Sequence, residues 1–256
     1  MPTATNDGVE LYYETAGTGG GTNAEPGGSV AFVPDLGCGA WLWSWQAPAL
    51  AGPREVITWD LRGTGRSSEA REYSIAAMAS DLDAVLADHG VRSAAVVGAG
   101  MGGLVALAAT LRGSRVDRLA LLGTAADGAA FDAAAFLAGP EDLSGLTSAG
   151  FREAYPEEVE RITDWRRRED APEDIRREHA RAIAAFDLSD RLHEITAPAL
   201  VAHGEADAVV LPEAARDLAA GLPRGRFEGF AEGSHLFFVE QARLVSDAIA
   251  GFLDGE

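Results

Sequence analysis

The sequence contains no lysine; all 21 of its basic residues are arginines. A lysine Schiff base, and with it pyridoxal-phosphate chemistry, is therefore excluded. There is one cysteine, Cys38, so no internal disulfide can form and the chain suits a reducing compartment. The opening MPTATNDGVELYYE has neither the basic start nor the continuous apolar core of a secretory signal. No uninterrupted apolar run reaches the roughly 18 residues of a membrane span. Clusters of His, Cys, Asp and Glu at metal-ligand spacing are missing, and no metal is expected. Basic charge is scarce as well. Forty acidic residues give a formal net charge of −19, which opposes binding to nucleic acid or to an anionic membrane. These absences together read as a soluble, cytoplasmic protein.

What is present begins with length, since 256 residues suffice for one α/β domain that carries an insertion. Strand patterns occur at Val9 to Tyr13, Ser29 to Val33, Val56 to Trp59, Ala94 to Ala99, Val116 to Leu122, Ala199 to His203 and Arg226 to Phe230. Gly17 to Gly28 reads as a glycine-rich loop. Helical spacing runs through Ile75, Met78, Leu82, Val85 and Leu86, and again over Pro212 to Leu222 and Leu236 to Leu253. Strands separated by helices predict a mostly parallel central sheet with helices on both faces. From 125 to 190 the texture changes to charges of alternating sign, as in ITDWRRREDAPEDIRREHARAI, with no strand pattern. That segment reads as a helical insertion, which leaves 1–124 and 191–256 as the core domain.

The stretch Ala94-Ala95-Val96-Val97-Gly98-Ala99-Gly100-Met101-Gly102-Gly103-Leu104 is a strand, a tight turn and a helix. Two readings compete for its turn. Gly98-x-Gly100-x-x-Gly103 is the spacing of a dinucleotide fingerprint, in which glycines let the backbone approach a pyrophosphate. Gly98-x-x-x-Gly102 is the frame of a nucleophile elbow, whose serine would fall at position 100. The motif lies mid-chain, and the following strand ends Leu121-Leu122-Gly123-Thr124 rather than in an acid, which argues against the dinucleotide reading.

Downstream, His203-Gly204-Glu205-Ala206-Asp207 follows one strand and Gly233-Ser234-His235 follows the next. An acid and then a histidine at strand ends, after a central elbow, give the chain order of a hydrolase triad. With the loop Asp60-x-Arg62-Gly63-x-Gly65-Arg66-Ser67, the chain resembles the α/β-hydrolase fold superfamily with a helical cap over 125–190. The resemblance implies that His235 is a general base oriented by Asp207, with Glu205 a weaker candidate for the acid. It also implies that Leu36 and Met101 supply the backbone N–H groups of an oxyanion hole, and that no cofactor is needed.

This chain departs from the pattern twice. Gly100 stands at the nucleophile position and has no side chain, so an ordinary acyl-enzyme cannot form there. Pro34-Asp35-Leu36 replaces the His-Gly that commonly precedes the oxyanion donor. Asp35 would repel a developing oxyanion if it faced the site, and would act there as a second acid or base; an aspartate turned away in its loop is the ordinary alternative. A laboratory knockout would alter the nucleophile alone, so two changes favour a naturally serine-less site.

Other residues have plainer readings. Cys38 reads as a buried thiol, His203 as structural and His179 as solvated among the charges of the insertion. Trp41, Trp43, Trp45 and Trp165 read equally as core or as the lining of an apolar substrate pocket. The expected function is serine-less general-base catalysis on a small apolar metabolite: hydrolysis, C–C or C–O cleavage, or a rearrangement or cyclisation. The alternatives are a serine esterase or C–C hydrolase with its nucleophile mutated, a ligand-binding homologue without catalysis, and a dinucleotide binder.

Overall fold

The computed structural model describes residues 2–17, 28–113 and 115–255; most of the glycine-rich loop expected at Gly17 to Gly28 lies outside them. Eight strands form one sheet: β1 (Thr3–Asn6), β2 (Val9–Ala16), β3 (Ser29–Val33), β4 (Glu55–Trp59), β5 (Ala94–Ala99), β6 (Val116–Leu122), β7 (Ala199–Gly204) and β8 (Gly225–Phe230). Their order is β1-β2-β4-β3-β5-β6-β7-β8. The pairings β1–β2 and β2–β4 are antiparallel and the rest are parallel. Every residue of β3, β5 and β7 is buried, the condition of a parallel sheet covered on both faces.

The helices are α1 (Gln46–Leu50), α2 (Ile75–Asp88), α3 (Met101–Leu111), α4 (Ala134–Leu137), α5 (Ala149–Ala154), α6 (Pro156–Glu169), α7 (Glu173–Ala184), α8 (Pro212–Gly221), α9 (Phe237–Glu240) and α10 (Ala242–Asp254). Ser74 caps α2 by accepting the Ala77 N–H at 3.1 Å, and the face through Ile75, Met78, Leu82, Val85 and Leu86 is buried as its spacing predicts. The last helix differs from expectation. Leu236 to Leu253 is not continuous but breaks at Gln241, whose φ of −118° and ψ of 40° are not helical.

Between β6 and β7 the structure holds α4 to α7. The two ends of this segment lie side by side, since the Leu188 N–H donates to the Ala126 carbonyl at 3.0 Å and the Gly128 N–H to that of Phe186 at 2.8 Å. In α6, Glu157 and Glu158 occupy the first turn and Arg166, Arg167 and Arg168 the last, which matches the helix dipole at both ends. The α7 face through Ile175, Arg176, His179, Ala182 and Ile183 is buried. His179 is therefore not solvated. It is fully enclosed, with Nδ1 accepting the Gly37 N–H at 3.2 Å and Nε2 facing the Arg62 carbonyl at 3.3 Å. Burial pushes its pKa down to about 4, so the ring is neutral.

Candidate active site

The turn between β5 and α3 is built from glycines because other backbone passes within contact of it. A Cβ on Gly102 would lie 2.1 Å from the Val33 carbonyl oxygen, and one on Gly98 would lie 2.4 Å from that of Gly102. Gly100 has φ 47° and ψ −114°, a conformation that a residue with a side chain adopts only under strain. Its N–H donates to the Leu122 carbonyl at 2.9 Å, and its carbonyl accepts the Thr124 hydroxyl at 2.8 Å. These bonds tie the turn to the end of the neighbouring strand, β6.

The carboxylate of Asp35, from the loop after β3, is turned into this turn and is 1% exposed. Its Oδ1 accepts the Leu36 N–H at 2.6 Å and the Met101 N–H at 2.8 Å. The two backbone donors expected to form an oxyanion hole thus do converge, on a carboxylate of the protein itself. The N-terminus of α3, where a pyrophosphate would sit in a dinucleotide fold, holds the same carboxylate. A Cβ on Gly100 would lie 2.0 Å from Asp35 Oδ2 and 2.1 Å from Oδ1. The carboxylate therefore fills the space that a side chain at position 100 would need.

His235 and Asp207 complete the array. Asp207 follows β7, where its Oδ1 accepts the N–H groups of Val209 at 2.8 Å and Val210 at 3.1 Å. Its Oδ2 is 2.8 Å from His235 Nδ1. On the far side of the ring, His235 Nε2 is 2.8 Å from Asp35 Oδ2. All three side chains are buried. Burial alone would lower the pKa of His235, but the charges of Asp207 and Asp35 and the hydrogen bonds to both outweigh it and push it up to about 10. Burial would likewise raise Asp207, but the charge of His235 and hydrogen bonds from His203 and His235 outweigh it and hold the carboxyl well below the usual range. At neutral pH the His235 ring is thus held protonated between the side chains of Asp207 and Asp35.

Glu205 is not part of the array; it is half-exposed and paired with Arg216. His203 supports Asp207, with Nε2 donating to the Val210 carbonyl at 2.8 Å and lying 3.2 Å from Asp207 Oδ2. Cys38 is buried, and burial together with the charges of Asp170 and Asp35 raises its thiol well above the usual value. It is a neutral thiol, not a nucleophile.

The segment between β6 and β7 closes on this array. Phe136 of α4 stands edge-on to the His235 ring with centroids 5.4 Å apart. No motif marks Phe136, and only its apolar character in a charged segment hinted at burial. The carbonyl of Leu146 accepts the Ser234 hydroxyl at 2.8 Å and the Leu236 N–H at 2.9 Å, on either side of His235. Trp41 donates through Nε1 to Asp170 Oδ1 at 2.7 Å and stacks on Trp165 at 6.0 Å. Trp41, Trp43 and Trp165 line a cavity of about 560 Å³. That cavity is not the active site, because Asp35, Gly100, Asp207 and His235 are absent from its lining. Trp45 packs edge-on against Trp165 at 5.7 Å.

Among the described residues no group of His, Cys, Asp and Glu could hold a metal ion, and no helix is long and apolar enough to cross a membrane. Comparison with known proteins agrees with the fold. A Caulobacter segnis protein that carries the provisional name carbamate hydrolase RutD is 30% identical over 282 aligned residues, covering 100% of each chain. Among solved structures, the enol-lactonase from Burkholderia xenovorans LB400 superposes with a TM-score of 0.86 at 26% identity, covering 99% of this chain and 100% of that one. Est816, described as an N-acyl homoserine lactone degrading enzyme, superposes with a TM-score of 0.84 at 27% identity, covering 98% of this chain and 100% of that one. The family model described as "Alpha/beta hydrolase family" matches residues 30–248. The sheet, the strand-end acid and histidine and these matches lead to one conclusion: the chain belongs to the alpha/beta hydrolase family.

Proposed function

We propose that this chain is a serine-less enzyme of the α/β-hydrolase fold, that residues 125–190 form its cap, and that it moves a proton on a small apolar molecule. The hydrolase names of its relatives support an enzyme, and the Asp35 carboxylate in the space at Gly100 supports the serine-less chemistry. His235 is charged at neutral pH, so in this reading it donates the proton, and Asp35 is the base that accepts one. This reverses the role that sequence assigns to His235. The N–H groups of Leu36 and Met101 hold one oxygen of Asp35 and leave the other beside the imidazolium. An acyl-transfer intermediate would need those same N–H groups for its oxyanion. The array therefore suits water activation, C–C or C–O cleavage, or rearrangement, and not serine-type acyl transfer.

The mutated-hydrolase alternative is disfavoured by the same contact, because a serine at position 100 would overlap the Asp35 carboxylate. The test uses 5-nitrobenzisoxazole, in which a base removes the one acidic C–H proton, the nitrile forms as the N–O bond breaks, and the cyano-nitrophenolate released stays ionised at neutral pH. The chain should open the benzisoxazole, and Asp35→Asn should lose about 10² to 10⁴-fold in rate, the usual contribution of a positioned base. An Asp35→Asn variant as fast as its parent, or a stoichiometric burst from the parent with activated esters, would overturn the reading.

A further inference from the structure

The tryptophan-lined cavity has a chemistry of its own, independent of the Asp35 site. At about 560 Å³ it has the size of a small-molecule site. Two indoles, Trp41 and Trp165, form an aromatic wall with ring planes inclined by 24°. The edge of the cavity carries two carboxylates and one arginine: Glu14, Glu169 and Arg66. Glu14 is committed, accepting the Tyr12 hydroxyl at 2.5 Å and Arg66 Nη1 at 3.0 Å. Glu169 is not. Its carboxylate makes no hydrogen bond among the described residues, is half-buried, and feels the charges of Arg66 and Arg168 without a close contact to either.

Glu169 also lies near a second carboxylate. Gly39 separates them, since a Cβ there would lie 2.9 Å from Glu169 Cβ and 3.4 Å from Asp60 Oδ1. Asp60 is buried and spends its oxygens on the Ala40 N–H at 2.8 Å and the Arg66 N–H at 3.0 Å. Burial and then the Asp60 charge raise the pKa of Glu169, outweighing the opposite pull of Arg66 and Arg168. Arg66 Nε already lies 3.7 Å from Asp60 Oδ2, so the acceptor left open to a further donor is Glu169. The Arg161 guanidinium carbon already lies 5.0 Å from the Trp165 ring centroid, so the indoles offer a ligand apolar contact and Glu169 offers it a charge.

We propose that this cavity binds a small primary ammonium compound with an apolar body. The ammonium group would donate to Glu169, and the body would lie against Trp41 and Trp165. A primary amine is favoured over a quaternary one because Glu169 offers an open hydrogen-bond acceptor.

The test is calorimetric titration with phenethylammonium, beside 3-phenylpropanol as a neutral partner of similar shape, on the parent chain and on Glu169→Gln. The proposal predicts saturable one-to-one binding of the ammonium compound. Glu169→Gln should weaken it about tenfold, or ~1.4 kcal/mol. Asp35→Asn should leave it unchanged, which separates this site from the proposed active site. Thermal unfolding of Glu169→Gln checks that it is folded, and Trp165→Leu provides a second variant whose affinity should fall. Absence of saturable heat up to roughly 10 mM, equal affinity for the alcohol, or full affinity in Glu169→Gln would each overturn the proposal.

Discussion

Asp35 and Gly100 share one volume: a Cβ on Gly100 would lie 2.0 Å from Asp35 Oδ2, closer than any two such atoms can pack. The residue without a side chain and the inward carboxylate are two halves of one arrangement. Each departure from the family pattern looks like a loss when read by itself. In the proposed reading they exchange a hydroxyl on the elbow for a carboxylate from the loop after β3, which engages both N–H donors and the histidine.

The charge state of His235 is the first consequence. In the parent chain its ring should stay protonated across the neutral range and titrate near pH 10. Asp35→Asn keeps the shape and removes one of the two carboxylates, so the titration should move down. Imidazole Cε1–H chemical shifts followed against pH read this directly. A ring that titrates near its ordinary value of about 6.5 in the parent would contradict the ion-paired array.

Stability should depend on pH with a sign set by the same residues. The folded-state pKa of His235 is raised to about 10. Its contribution is thus fully present below the unfolded value of about 6.5 and is lost as pH rises through the folded one. Asp207 is lowered, so its contribution is present above the unfolded carboxylate value and is lost as pH falls through the folded one. Urea midpoints should therefore fall on the alkaline side between pH 7 and pH 10, by less in His235→Gln than in the parent. Equal alkaline slopes in the two proteins would remove His235 from the account.

A separate prediction concerns the loop after β4. Arg62 and Asp81 form a bidentate pair at 2.6 and 2.7 Å, and both are buried. Removing either partner leaves a buried charge unpaired, which typically costs about 3 to 5 kcal/mol. Asp81→Ala should lower the urea midpoint accordingly, and replacing both residues together should cost less than the two single changes summed. Strict additivity would mean that the pair is not coupled.

The mostly parallel sheet and the strand-end loops that carry Asp207 and His235 were legible because they rest on local patterns: apolar runs, glycine turns and the residues that follow them; the order of the strands was not. Nor was the direction of Asp35. It depends on the Met101 N–H, 66 residues away in sequence, arriving beside that of Leu36 to form a paired donor site. The burial of His179 was hidden for a related reason. The alternating charges of α7 suggest solvent all round, yet Ile175, Ala182 and Ile183 share the face of His179 and carry it against the loop at Gly37. The tryptophans read as core or as the lining of a substrate pocket, and sequence could not separate the two because one side chain can pack inward and still border a cavity. Trp43 packs between Phe32 at 4.9 Å and Phe238 at 5.5 Å, while it also helps to line the cavity with Trp41 and Trp165.

The central claim is that Asp35 has taken the nucleophile's place, and a double-mutant cycle tests it most directly. The parent, Gly100→Ser, Asp35→Ala and the double variant are each treated with a fluorophosphonate serine probe and assayed for a burst with an activated ester. Gly100→Ser alone should show neither labelling nor burst. It should also unfold more readily, by about 1 to 3 kcal/mol from backbone strain alone, before the overlap with Asp35 is counted. The double variant, with room for the hydroxyl and both N–H donors released, should be the one that labels. A stoichiometric burst from Gly100→Ser with Asp35 still present would contradict the account.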